Sequence, residues 1–191
     1  MNFELWLIRH GETEWSLSGQ HTSSTDLPLL AEGERRARQL PPFLAGKRFA
    51  LVLSSPLLRA RETARLAGLD PEIDPDLREW QYGQYEGLTG RQIRELSPDW
   101  TIWTAPPPGG ETGEEVAARA DRVIARAASA AGDVAVVGHG HMLRVLAARW
   151  LRLAPCDGRY FALNTGSVSV LGQDQGNRVV RLWNWTPGAR P

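Results

Sequence analysis

The chain has 191 residues, 42% of them hydrophobic, with 22 basic side chains against 22 acidic ones and a single cysteine, Cys156. One domain spanning 1–191 is expected, because this length builds one sizeable core and is short for two. Balanced charge leaves no bulk field for nucleic acid or an anionic membrane, one cysteine excludes an internal disulfide framework, and no stretch approaches the roughly 18 apolar residues of a membrane helix.

Residues 3–8 are apolar and β-prone apart from Glu4 and end abruptly in Arg9-His10-Gly11, the pattern of a buried strand that delivers a polar loop. Leu30, Ala37, Leu40 and Leu44 recur at helical spacing, in a stripe that Pro41-Pro42 should break or kink. Residues 50–53 form a second apolar run. After it, Ser55 as N-cap and Pro56 at the first helical position should open a helix carrying Leu57, Ala60, Ala64 and Ala67. A weaker strand lies around Ile73.

Thr89 with Gln92, and Thr112 with Glu115, fit the reciprocal capping box, and Val116, Ala120, Val123 and Ala127 continue the second as an apolar stripe. Residues 104–113, rich in proline and glycine, form an ordered loop before it. A third strong strand covers 134–137, and Leu143, Leu146, Ala147 and Trp150 line one face of the helix that follows. Residues 167–171 and 178–183 flank a polar segment, 172–177, as an antiparallel pair closing one side. Strands alternating with helices make a three-layer α/β/α sandwich, its sheet mostly parallel with an antiparallel edge. The N-terminus lacks the basic, apolar and small-residue order of a secretion signal, so a cytoplasmic location is expected.

In open α/β sheets, ligands sit beyond the carboxyl ends of the strands. The residues collected there are Arg9, His10 and Gly11, then Ser54, Ser55 and, one helical turn on, Arg59, then Gly138, His139, Gly140 and His141. Phosphoryl transfer asks for an in-line nucleophile and for donors around the charged equatorial oxygens. Neutral imidazole is such a nucleophile, and Gly11 lets a backbone carbonyl come close enough to take the ring's other N–H. Arg9, Arg59 and a protonated His139 can each bond phosphate, so no metal and no other cofactor is required. Zinc on His10, His139 and His141 is a poorer match, since an i, i+2 histidine pair without a nearby carboxylate or cysteine does not fit the usual spacings. A proton donor for the leaving alkoxide is still needed. The segment 77–88 offers Glu79 and Glu86, between which spacing does not choose.

Several blocks in order carry a resemblance. Leu7-Ile8-Arg9-His10-Gly11-Glu12-Thr13-Glu14-Trp15 is followed by Ser54-Ser55-Pro56-Leu57-Leu58-Arg59-Ala60-Arg61-Glu62-Thr63-Ala64 and by Leu77-Arg78-Glu79 before Gly83. Pro108-Gly109-Gly110-Glu111 and Val137-Gly138-His139-Gly140 complete the set. Together they resemble the histidine phosphatase superfamily, also called phosphoglycerate mutase-like. The resemblance implies that fold, His10 as nucleophile, Arg9, Arg59, His139 and Gly140 as the phosphate pocket, and Glu79 as general acid and then base.

Ser16-Leu17-Ser18-Gly19-Gln20-His21-Thr22, followed by Thr25-Asp26-Leu27-Pro28-Leu29, is similar to a branch holding sugar-bisphosphate phosphatases and broad acid phosphatases. A loop directly after the nucleophile should meet the ligand, so Ser16, Gln20, Thr22 and Ser23 are the expected substrate contacts and the partner is a small phosphorylated metabolite. Mutases resembling this fold flank the Ile-Trp before the proline run with lysine and paired arginines. Here Thr101 precedes Ile102-Trp103 and Thr104-Ala105 follows, which favours hydrolysis over mutase transfer. A non-catalytic module would have lost His10, Arg59, Glu79 or His139, and all are present. Trp80, Trp100 and Trp103 lie in segments expected to cover the site, with core packing the better reading of each singly, while Glu111 and His141 are open between pocket and scaffold roles. Oligomeric state is not readable from one chain.

Overall fold

The computed structural model describes residues 3–188. A six-stranded sheet in the order β3-β2-β4-β1-β5-β6 forms the middle layer. Strands β1 (Leu5–Arg9), β2 (Phe49–Ser54), β3 (Glu72–Ile73) and β4 (Asp133–Gly138) run parallel. Strands β5 (Val168–Asp174) and β6 (Asn177–Trp185) form the antiparallel edge. Among the described residues seven α-helices supply the outer layers: α1 (Glu14–Ser18), α2 (Ala31–Ala37), α3 (Pro41–Leu44), α4 (Leu58–Leu66), α5 (Gly90–Leu96), α6 (Gly113–Ser129) and α7 (Gly140–Trp150). This is the expected three-layer sandwich.

Strand β1 explains why its sequence reads as an unbroken apolar run. Leu5 and Leu7 pack with Val116, Val123, Leu143 and Leu146 of α6 and α7, whereas Trp6 and Ile8 pack with Leu40, Leu44, Ala60 and Ala64 of α3 and α4. Successive side chains point to opposite faces and both faces are covered, so every position must be apolar. Pro41 stands at the start of α3, and the stripe from 30 to 44 is split into α2 and α3. The capping boxes of Thr89 and Thr112 are both formed.

Two local expectations are corrected. The helix after β2 starts at Leu58, with Leu57 as an N-cap that makes no side-chain bond. Ser55 stands before the cap: its hydroxyl accepts the Leu57 N–H at 3.3 Å, outside the helix, and lies 2.7 Å from Nε2 of the buried His139. The carboxylate of Asp26 instead accepts the Leu58 N–H at 2.7 Å, capping α4 from a distant loop. The polar segment 172–177 is mostly strand: the ladder runs on to Asp174 opposite Asn177, and the chain reverses at Gln175 and Gly176, at φ 48° and 82°. Positive φ at both central residues is the tight hairpin turn whose twist matches the flanking strands.

Candidate active site

The sheet places the reacting groups by register. Arg9 of β1 is level with Gly138 of β4, and the His10 N–H donates to the Gly138 carbonyl at 2.9 Å. His10 and His139 therefore leave neighbouring strands together, with ring centroids 5.2 Å apart. Ser54 pairs with Val137 on the other side of β4, bringing Ser55 and Arg59 to the same edge.

The His10 ring is set for one role. Its Nδ1 lies 2.7 Å from the Gly11 carbonyl, which can only accept, so Nδ1 holds the proton and Nε2 keeps its lone pair. Burial, followed by the fields of Arg9 and Arg59, holds the imidazole well below its usual 6.5 and so neutral. Gly11 itself packs against α2, where a Cβ on it would stand 2.7 Å from the Gly33 carbonyl oxygen.

Arg9 is half-buried, donates Nη1–H to the Leu163 carbonyl, and lines the cavity with His10. Its Nε is a buried side-chain nitrogen with no hydrogen-bond partner among the described residues. Such a cationic donor is costly unless a ligand answers it. Gly140 also lines the cavity, and its missing side chain matters: a Cβ would lie 3.3 Å from the Arg9 guanidinium carbon.

Arg59 is fully buried and acts as a strut. Nη1 donates to the Thr25 carbonyl at 3.0 Å, and Nη2 to the Ser23 and Thr22 carbonyls at 3.1 and 3.3 Å. Its Nε donates to Nδ1 of His139 at 3.2 Å, which leaves the His139 proton on Nε2, donated to the Ser55 hydroxyl. Burial, then Arg59, His10 and Arg9, keep His139 well below 6.5. In this arrangement His139 is neutral, with both ring nitrogens committed away from the cavity.

The two glutamates have different surroundings. Glu79 is 5% exposed and lines the cavity. Its Oε1 accepts the Trp80 and Met142 N–H groups at 2.8 and 2.9 Å, and Oε2 accepts the His141 N–H at 3.0 Å. The carboxylate thus rests on the N-terminal turn of α7, with Oε2 retaining capacity for a proton or a substrate bond. Glu86 faces the 23–25 loop instead. It accepts the Thr25 N–H at 2.7 Å and the hydroxyls of Ser23 and Ser24. Burial alone would raise it, but the bonds from Ser23, Thr25 and Ser24 outweigh that and bring it to about 2.

Of the expected substrate contacts, Ser16, Gln20 and Thr22 line the cavity, which encloses about 190 Å³. Ser23 does not reach it, being fully buried with its hydroxyl bonded to Glu86. Ser16 also closes a capping box with Thr13, and Gln20 spans to the Gly87 carbonyl at 2.8 Å. His141 lines the cavity, whereas Glu111 pairs with Arg119 behind it. Trp103 and Trp100 back the lining, with rings 5.2 Å from His141 and 6.3 Å from His21, and Trp80 is core.

Sequence reasoning gave no role to Trp15, His21, Tyr82 and Arg144, which also line the cavity. The Tyr82 hydroxyl is 2.6 Å from Nδ1 of His141, and His21 donates Nδ1–H to the Leu88 carbonyl at 3.0 Å. Arg144 was findable. It stands one turn after Gly140, off the face marked by Leu143, Leu146 and Ala147. Among the described residues no group of three or more His, Cys, Asp or Glu side chains is arranged to hold a metal ion, and no helix is long and apolar enough to cross a membrane.

The profile of the histidine phosphatase superfamily (branch 1) matches residues 5–186. The chain belongs to that superfamily. Among its relatives, an acid phosphatase of Mycobacterium tuberculosis is 40% identical over 100% of this chain and 96% of its own length. The sedoheptulose 1,7-bisphosphatase of Saccharomyces cerevisiae is 37% identical over 77% of this chain and 67% of its own. The solved structure of open reading frame Rv3214 from Mycobacterium tuberculosis superposes with a TM-score of 0.93 at 39% identity, covering 97% of this chain and 99% of that one. In this histidine phosphatase domain the matched span runs from β1 into the last strand, so the cavity lies inside the family fold.

Proposed function

We propose that this histidine phosphatase hydrolyses small phosphate monoesters through a phosphohistidine on His10, without a metal. One observation supports the reading: a neutral His10 with its proton on Nδ1 lines one cavity with Arg9, whose buried Nε has no hydrogen-bond partner among the described residues.

In the first step His10 Nε2 attacks phosphorus, the bond to the ester oxygen breaks with its electron pair going to that oxygen, and Glu79 supplies the proton. Arg9 and the Gly140 end of α7, which line the cavity, receive the equatorial oxygens, and Arg59, buried behind the lining, joins them as phosphate displaces His139 from its Nε–H. Arriving phosphate competes for the Arg59 Nε–H and favours proton uptake by His139, which then becomes a further donor. In the second step Glu79 takes a proton from water as water attacks phosphorus. The N–P bond breaks, phosphate leaves, and His10 is restored.

Sugar phosphates are the proposed substrate class. The hydroxyls of Ser16 and Thr22 and the amide of Gln20 stand around the cavity and can bond a polyol, and the relatives include an acid phosphatase and a sugar bisphosphatase.

The test is phosphate release from an aryl phosphate in chelator, wild type against His10→Ala, with rapid-quench trapping of acid-labile phosphoprotein. Activity that survives chelator, with release and labelling lost in the variant, is expected. Equal release by both proteins would remove His10 as nucleophile, and loss of wild-type activity in chelator would overturn the metal-free step.

A further inference from the structure

The block Pro108-Gly109-Gly110-Glu111 carries no group that reaches the cavity, yet its surroundings are built with unusual closeness. A Cβ on Gly110 would stand 2.2 Å from the Gln81 carbonyl oxygen, and one on Gly83 would stand 2.2 Å from the Pro108 carbonyl oxygen. The two glycines let this segment lie directly against the turn that follows Glu79.

Glu111 uses that approach. Its N–H donates to the Gln81 carbonyl at 3.0 Å, its carboxylate accepts the Gln81 N–H at 2.9 Å, and its carbonyl accepts the Trp80 indole N–H at 2.8 Å. Residues just after Glu79 are thereby tied to one glutamate. The same carboxylate receives Nε and Nη2 of Arg119 as a paired fork at 2.9 and 2.8 Å. Arg119, on α6, is largely buried, and its Nη1 donates to the Asp76 and Arg78 carbonyls at 2.6 and 2.9 Å. Those carbonyls stand just before Glu79. Nη1 also meets the sulfur of Met142 at 3.5 Å, on the residue whose N–H holds Glu79 Oε1.

We propose that the Glu111–Arg119 pair is a positioning device for Glu79, clamping the backbone on both sides of it so that its carboxyl meets the leaving oxygen. The inference rests on Glu79 being the general acid. Neither member touches the cavity, so each acts through the carboxyl it places. A buried ion pair is a costly way to hold a loop, and its planar fork is what fixes the direction of that loop.

General-acid help is worth most where the leaving group is poor. Misplacing the acid should therefore penalise alkyl phosphates and spare aryl phosphates, whose leaving groups depart with little help. The experiment measures kcat and KM for alkyl and aryl phosphates with wild type, Glu79→Gln, Arg119→Met, Arg119→Lys and Glu111→Gln, together with Tm. Arg119→Met should lose about 10–100-fold in kcat/KM on the alkyl ester, a displacement-sized effect, and far less on the aryl ester, because kcat/KM reports transfer to His10 and not the later water step that Glu79 also serves. Glu111→Gln should fall the same way, and Arg119→Lys should recover only part of the loss because a point charge does not replace the fork. If Arg119→Met does not fold, Glu111→Gln, nearly isosteric, carries the test.

Losses equal on both esters would overturn the positioning role and leave a structural one. If Glu79→Gln itself shows no dependence on the leaving group, the general-acid assignment has failed rather than the clamp. If Glu79→Gln shows it and neither clamp variant does, the clamp alone is refuted.

Discussion

Glu86 is the place where stability, pH and ligand binding are tied together most directly. Its carboxylate collects the Thr25 N–H and the Ser23 and Ser24 hydroxyls, and the loop so held presents the Thr22, Ser23 and Thr25 carbonyls to Arg59. In Glu86→Gln the amide can still accept from Thr25 and donate to the serines, so what is lost is mainly charge assistance. A fall from an ordinary 4.5 to about 2 is roughly 3 kcal/mol at face value. The group is only partly buried, and solvent screening reduces this to roughly 1–2 kcal/mol. For a chain of this size that is a loss of about 2–8 °C in Tm.

Because the folded-state value lies below the unfolded one, the stabilisation is fully present above about 4.5 and fades as pH falls towards 2. Urea denaturation of wild type and Glu86→Gln across that range subtracts the other carboxylates. The gap should be constant near neutrality and close on acidification. A gap that persists unchanged to the acid end, or none at pH 7, would refute the charge-based account. The loosened loop should also raise KM more than it lowers kcat, since Arg59 loses its supports.

Other outcomes follow from the same geometry. The ring resonances of His10, His139 and His141 should not titrate around pH 6.5 in the free protein, because burial comes first among the causes that hold each imidazole well below that value. An NMR titration with a midpoint near 6.5 for any of them would contradict it. Gly33→Ala places a Cβ 2.4 Å from the Glu12 carbonyl oxygen. Since α2 and the loop after His10 must then separate, a cost of about 1–3 kcal/mol and a lower kcat are expected, read by denaturation and by phosphate release. Unchanged values for both would show that the contact relaxes freely.

Most of the architecture is legible from local pattern. The apolar run before Arg9-His10, the Thr89 and Thr112 capping boxes and the proline break at residue 41 act within a few residues, and each appears where the pattern puts it. The hairpin turn was drawn too long because Gly172, Gln173 and Asp174 look like turn residues, while the ladder they join is decided by pairing with Arg178 and Val179. Ser55-Pro56 has the local chemistry of a helix start, but the helix begins at Leu58, and the Ser55 hydroxyl is shared between the Leu57 N–H and His139, 84 residues away.

The site divides along the same line. His10, Arg9, Arg59 and His139 follow from strand ends, because a parallel sheet delivers them to one edge whatever else the chain does. Which of Glu79 and Glu86 faces the cavity could not be read locally, since both sit among glycines and aromatics on one loop. It rests on the first turn of α7 meeting one carboxylate and residues 23–25 meeting the other. Ser23 is lost to the ligand for the same reason, and Tyr82 and Arg144 join the cavity only because α7 and the 79–82 loop pack side by side. Periodicity and capping report interactions that span a few residues, so the sequence by itself determined the layers and the edge where chemistry gathers. Which polar group faces the cavity is settled by partners tens of residues away, and only tertiary packing brings those together.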